Sequence, residues 1–535
     1  MLALLKQFGK RVVTDVNDLT HLHELLLFVR AHPHNSAVLR QVEALLRSVP
    51  NHIAQLEQTG NDLSALEHPE LSGVAGLSVT DTFTFPIVRW LASRNPSQLS
   101  FYWDWFEDEN RIGESWPRFL PLLEEDTFVE ANIPFREWLR NARGKRAEVD
   151  WLVEKFDQID ASDEIKAEHY NAQNLYLQWR YDYSDSRTGL RGPVSKTFFH
   201  SGPLISRRDV RLKEELAKPS LQLKKLSLSD GTKAIGLARL ASTVRYRELY
   251  GFTNGDSRAV IQVDIGRGVI LQIITLPPEK RLPLRTYHSA MIYKNGVPIG
   301  YFEGLSFFER MESGFNLYYT FREGETGWLY AQVLRVMRQI TGVSAFTLDP
   351  YQIGFENEEG IQSGAFWFYR KLGFRSTSRE IQERTEKEER KLTTRHNYRS
   401  SAATLRRLAK APMILEVDET RRGEWDRFQI RNVGFAIQQL MAEKFGGDAS
   451  RLRETAKQVI SSEIGLDARF GNSKTFTDFA VALLLVDDIN VWTDAEKELL
   501  KRIIKAKCAG SEGTYLKLLQ KHTRLRTALI RLGST

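Results

Sequence analysis

Along the first 155 residues the apolar positions fall mostly at helical spacing. "LHELLLFVRAHP" and "SAVLRQVEALLRSV" both follow it, and Pro33, just after His32, stops the first. "LEHPELSGVAGLSVTDTFTFP" breaks the period and predicts a loop followed by a short strand. From about 160 to 400 strands alternate with helices. "LQLKKLSLSDGTKAIGLARLASTVRYRELYGF" predicts a short strand, a turn at Asp230 and Gly231, and a long helix ending near Gly251. "RAVIQVDIGRGVILQIITL" predicts a hairpin turning at Gly266 to Gly268, and "RTYHSAMIYKNGVPIGYFEGLSFF" a second one turning at Asn295 and Gly296. "FNLYYTF" alternates as a strand does, and "SAFTL" is another short strand. Between them "ETGWLYAQVLRVMRQITG" is an amphipathic helix, with Leu329, Val333, Val336 and Ile340 on one side and Gly342 past its end. In "SGAFWFYRKLGFR" the residues Ile361, Ala365, Phe368 and Leu372 line one face of a helix; Gly373 closes it and Phe374 folds back on the cap. "REIQERTEKEERKLTTRHNYRS" is charged and predicts an exposed helix or linker, and 401 to 535 is helical again.

Three domains follow: 1–155 mainly helical, 160–400 mixed, and 401–535 helical. That organisation suits a chain of 535 residues, too long for one ordinary core. A hydrophobic content of 42% argues for packed structure. One cysteine, Cys508, excludes an internal disulfide and any cysteine-based zinc site. "MLALLKQFGKR" opens on an apolar run too short for a secretory core, and Phe479 to Val486 is far below a membrane span. The expectation is a soluble, cytoplasmic protein with no membrane partner. A net charge of +7 is mild at this length. Trp103, Trp105 and Trp116 cluster, as a core or domain contact or as a stacking platform. "HLHE" at His21 to Glu24 sits on a helix, where residues two apart point to different sides, so no metal is expected there. Phosphate-loop, nucleophile-elbow and H-E-x-x-H motifs do not occur.

The order of elements from about Leu221 to Arg375, with "GVPIGY", "FREGETGW" and "FWFYRKLGF", resembles the GNAT superfamily of N-acyltransferases. The wider arrangement is similar to a group of large bacterial proteins with such a middle region. The resemblance implies an α+β fold: a central GNAT-like mixed sheet with flanking helices, plus helical N- and C-terminal regions. It also implies acetyl-CoA or another acyl-CoA as cofactor and an amine acceptor as second substrate. Family members bind the coenzyme pyrophosphate at a turn like Arg-x-x-Gly-x-Gly/Ala. Here the turn reads Arg-x-Gly-x-x-Gly, one position out of step, and GNAT domains end on two strands where this chain has its charged segment.

Physical chemistry reaches the same corner independently. A strand feeds a turn with Gly324 and Gly327 and then a helix begins, so free amide groups and the positive end of the helix dipole suit a pyrophosphate. The expected cofactor contacts are Arg322, Gly324, Glu325, Thr326, Gly327 and Trp328, with Asn357 carried over from the resemblance. Acyl transfer needs a proton for the departing thiolate, and the resemblance implies Tyr369 as its source. Glu303, sharing a face with apolar residues, is the first candidate base, and His288 the second. Each also reads as structural: Tyr369 as a packed core residue, Glu303 as half of an ion pair, the glycines as a tight turn. Two alternatives stay open. One is a GNAT-like module without catalysis, serving binding or regulation. The other is nucleic-acid binding through Lys517, Lys521, Arg524, Arg526 and Arg531, although scattered basic residues usually face solvent.

Overall fold

The computed structural model describes residues 2–8, 13–106, 135–466, 473–486 and 488–534. The chain divides into two compact units, 1–192 with 236–253, and 193–235 with 254–535.

The first unit is mainly helical. Asp15 caps the helix Val16–Ala31 through the amides of Asn17 and Asp18, and Asn35 caps Ser36–Gln58 through Val38. A three-stranded antiparallel sheet joins them, in the order β1 (Ser78–Asp81), β3 (Leu177–Arg180), β2 (Leu99–Phe101). Trp103 packs against Phe101 at 5.1 Å, while Trp105 is 45% exposed and edges onto Tyr102 and Tyr176. Trp116 lies outside the described residues. His23 of "HLHE" is buried, bonded through Nε2 to Thr188 Oγ1 at 2.9 Å and through Nδ1 to Glu24 at 3.1 Å.

The second unit is built on nine strands in the order β11-β12-β10-β9-β8-β7-β6-β5-β4. They are β4 (Lys224–Lys225), β5 (Ile261–Gly266), β6 (Val269–Thr275), β7 (Thr286–Lys294), β8 (Val297–Phe307), β9 (Arg310–Leu317), β10 (Ala345–Leu348), β11 (Arg375–Ser376) and β12 (Met413–Glu416). Among the described residues only β9 and β10 pair in parallel, over Arg310 to Glu312 against Ala345 to Thr347. The other neighbours are antiparallel. Both hairpins turn where expected, with Asn295 at φ 47° and Gly296 at φ 76°. The molecule is thus mixed α and β with helical terminal regions, and no helix among the described residues is long and apolar enough to cross a membrane.

Four local expectations change. Asp230 and Gly231 lie inside the helix Leu228–Thr243, because the Ser227 hydroxyl caps it at the Asp230 amide; that helix stops well before Gly251. "FNLYYTF" is a strand only to Leu317 and then tightens into the one-turn helix Tyr319–Phe321. The "SGAFWFYRKLGFR" helix is two pieces, Glu358–Gln362 and Ala365–Arg370, broken by Gly364 at φ 68°. Its closure follows expectation: Gly373 is left-handed and Phe374 is fully buried. The boundary expected near 400 falls inside the sheet unit, because β12 threads between β10 and β11. The charged helix Arg379–Thr394 is therefore the crossover between two strands. Pairs such as Arg379–Glu383 and Arg384–Glu380 lace its exposed side.

Candidate functional site

The helix Thr326–Thr341 begins where β9 has run out. Its first-turn amides, those of Thr326, Gly327 and Trp328, find no acceptor among the described residues. The turn before it is self-contained: the Gly324 amide donates to Phe321 at 3.1 Å and the Thr326 hydroxyl to Arg322 at 2.7 Å.

Glu325, expected beside the ligand, points inward. Its carboxylate is 1% exposed, bonded to Arg267, 3.3 Å from Lys294 Nζ, and accepts the Ile205 amide at 3.1 Å. Burial works to raise its pKa, but Arg267 and Lys294 outweigh burial and hold it below the ordinary value. Its charge is thus neutralised beneath the turn rather than set against an anion. Lys294 is lowered as well, to about 8, but chiefly by burial.

Beside the free amides lies Arg207, which short-range sequence patterns do not reveal, with Arg208 and Lys371 close enough to it to act on its charge or feel it. Residues 193–211 cross the hairpin ends as a strap. Phe198 is pinned by Asn295, whose amide side chain accepts its N–H at 2.8 Å and donates to its carbonyl at 3.0 Å; Ile205 is pinned by Glu325. Arg207 then lies so close to the first helical turn that a Cβ on Gly327 would stand 3.1 Å from its Cγ. A side chain at Gly327 would crowd that approach. Arg208 and Lys371 complete the cluster. Lys371 has its pKa lowered by desolvation and then by the charges of Arg207 and Arg208; Arg207 is lowered by desolvation and then by Arg208. None of the three has an anionic partner among the described residues. Lys371 is the lysine of "FYRKLGF", so part of the signal was local. Arg207 and Arg208 sit in a Ser-Arg-Arg-Asp capping box 120 residues upstream of Gly327, and only the tertiary fold relates the two.

The other predicted residues separate. Arg322 donates to the Leu317 carbonyl at 3.1 Å and pairs with Glu359, so it braces the turn. Asn357 caps Glu358–Gln362, accepting from Gly360 at 3.0 Å and donating to Tyr351 at 2.9 Å. Trp328 is buried beneath the Arg267 guanidinium. Tyr369 is 4% exposed, its ring 5.4 Å from that of Tyr330, and burial raises its pKa. Its hydroxyl has no hydrogen-bond partner among the described residues.

The two candidate bases lie on opposite faces of the sheet, since Glu303 pairs across from Ser289 while His288 pairs across from Gly304. His288 is fully buried, and burial, then Lys507 and Arg281, push its pKa down to about 4. It is a neutral core residue. Glu303 is half-buried and accepts from the Tyr287 hydroxyl rather than from a basic neighbour. Desolvation raises its pKa against the lowering effect of that bond. The C-terminal basic residues are largely engaged: Arg526 pairs with Glu309 and Glu424, and Arg524 with Asp488. No group of His, Cys, Asp and Glu among the described residues is arranged to hold a metal.

Comparison with family models, curated proteins and solved structures returned no match.

Proposed function

We propose that the second unit is an acyl-CoA-dependent N-acyltransferase of the GNAT-like kind. The observation that carries the reading is Arg207 standing at the free amides that open the Thr326 helix, with the charges of Arg208 and Lys371 acting near it and no anion paired with any of the three among the described residues. Like charges held together with no counter-ion repel one another, and a diphosphate would relieve that repulsion while taking the amide hydrogens. Sheet topology gives independent support. A parallel pair with a helical crossover, followed by two more strands of which the later inserts beside the pair, accommodates the terminal strands the resemblance calls for.

Pairing between β9 and β10 ends at Glu312, although β9 continues to Leu317. An acyl chain entering this fork from the Tyr369 side would meet an amine on the Glu303 side. The amine lone pair forms the C–N bond, the C–S bond breaks, and the thiolate takes a proton from the Tyr369 hydroxyl. The proton shed by nitrogen restores Tyr369, while Glu303 receives the proton that an ammonium must lose before attack. A phenol with a raised pKa stays protonated at neutral pH and can serve as that donor.

Thiol release from acetyl-CoA in the presence of mixed primary amines tests the reading. Tyr369→Phe should slow release at least tenfold while leaving acetyl-CoA affinity unchanged. Equal rates in both proteins, or no release with any acyl-CoA, would contradict it.

A further inference from the structure

Register gathers three polar side chains on the sheet face opposite Glu303. Thr286 of β7 stands directly across from Ser306 of β8. The next row on that face sets His288 across from Gly304, and Gly304 across from Ser313 of β9. The Ser313 hydroxyl meets the Tyr330 hydroxyl at 2.9 Å, so this is the face that the helix Thr326–Thr341 covers. Thr286, His288 and Ser306 are all fully buried. Ser313 is satisfied, but these three are not. Neither hydroxyl and neither ring nitrogen of His288 has a hydrogen-bond partner among the described residues.

The cations nearest to them are committed elsewhere. Lys507 and Arg281 both act on the charge of His288. The Lys507 ammonium, itself fully buried, donates to the Arg285 carbonyl at 2.9 Å and lies 3.3 Å from the Glu512 carboxylate. Arg281 donates to the carbonyls of Leu276, Lys507 and Gly510. These bonds fasten the helices Asp494–Ala509 and Glu512–Leu519 over the end of β7. The same two charges, with burial, keep His288 neutral, so one ring nitrogen donates and the other accepts.

Opposed Thr and Ser side chains can bond each other across a sheet, but here they do not. Polar atoms buried in this way are costly, and proteins satisfy them with protein groups or with ordered water. Two hydroxyls and a neutral imidazole offer acceptors as well as donors, and the Glu512 carboxylate stands among the cations. That mixture suits a small neutral molecule with two hydrogens and two lone pairs better than it suits an anion. We propose that this end of the β7–β8 pair is an internal water site, with one water bridging Thr286 and Ser306 and a second bonded to His288. Two are assigned because the rows stand about 6.7 Å apart along the strand. The site asks nothing of the transferase reading, since Glu303 lies on the other face.

Magnetic relaxation dispersion of water oxygen, recorded on the full chain, counts waters held inside a protein for longer than its tumbling time. Thr286→Val/Ser306→Ala removes both hydroxyls and nearly keeps their shapes; its dispersion amplitude should fall by one long-lived water per chain. His288→Leu should lose the other. A crystal of the native chain supplies a second measurement that needs no substitution: density should stand within hydrogen-bond reach of Thr286 Oγ1 and Ser306 Oγ and of a His288 ring nitrogen. Equal amplitudes in all three proteins, or no density at either place, would overturn the proposal.

Discussion

At the scale of single residues, burial separates the candidates that sequence spacing had grouped together. His288 and Glu303 sit on neighbouring strands, and both read from sequence as bases. Pairing parity places them on opposite faces. For His288 the consequence is measurable. Its folded-state pKa of about 4 lies below the ordinary 6.5, so between those values the unfolded chain holds the extra proton. Its contribution to stability is complete above pH 6.5 and is lost as pH falls to about 4, an effect of about 3 kcal/mol. Denaturant midpoints measured from pH 7 to 4 should decline, and His288→Leu should flatten that decline by about one proton's worth. An unchanged slope in the variant would show that other groups carry it. Glu325 teaches the same lesson in reverse. In sequence it is a negative charge inside a phosphate turn; in the fold it is an anchor for the Arg267 and Lys294 side chains and for the Ile205 amide.

At the scale of elements, the chain announced its hairpins and its amphipathic helix because their signals are local. Asn295–Gly296 needs two positive φ angles, which those residues supply at little cost, and Gly342 closes the Thr326 helix in the left-handed region for the same reason. What was illegible is long-range. The strap at 193–211 has little periodic character, and its route is set by bonds to residues 97 and 120 positions away. Those bonds bring Arg207 to the helix start. Asn295 is therefore both turn residue and clamp. Asn295→Ala removes the side-chain partner of the half-buried Phe198 N–H and C=O, a cost of about 1–3 kcal/mol. Hydrogen exchange should rise at residues 198–208 ahead of the sheet. Exchange that rises uniformly, or only in the hairpin, would mean the strap is held by something else.

At the scale of the whole molecule, a 36-residue charged and helical excursion separates β11 from β12 in sequence, and under the proposed reading these two stand for the terminal strands. Charge pattern alone made that excursion look like a domain linker, and nothing local says that "MILE" at 413–416 inserts into a sheet begun at Lys224. The mixed α and β class with helical terminal regions was legible; the strand order and the approach of Arg207 to the helix start were not. The central claim is that phosphates of an acyl-CoA rest on the amides of Thr326, Gly327 and Trp328 between Arg207, Arg208 and Lys371. Isothermal titration with acetyl-CoA tests it most directly, comparing the native chain with Arg207→Ala/Arg208→Ala and with Lys371→Ala. The account predicts saturable binding by the native chain, weakened at least tenfold in each variant and strengthened at low salt. Titration without heat or saturation by the native chain, or affinities identical in all three proteins, would contradict it.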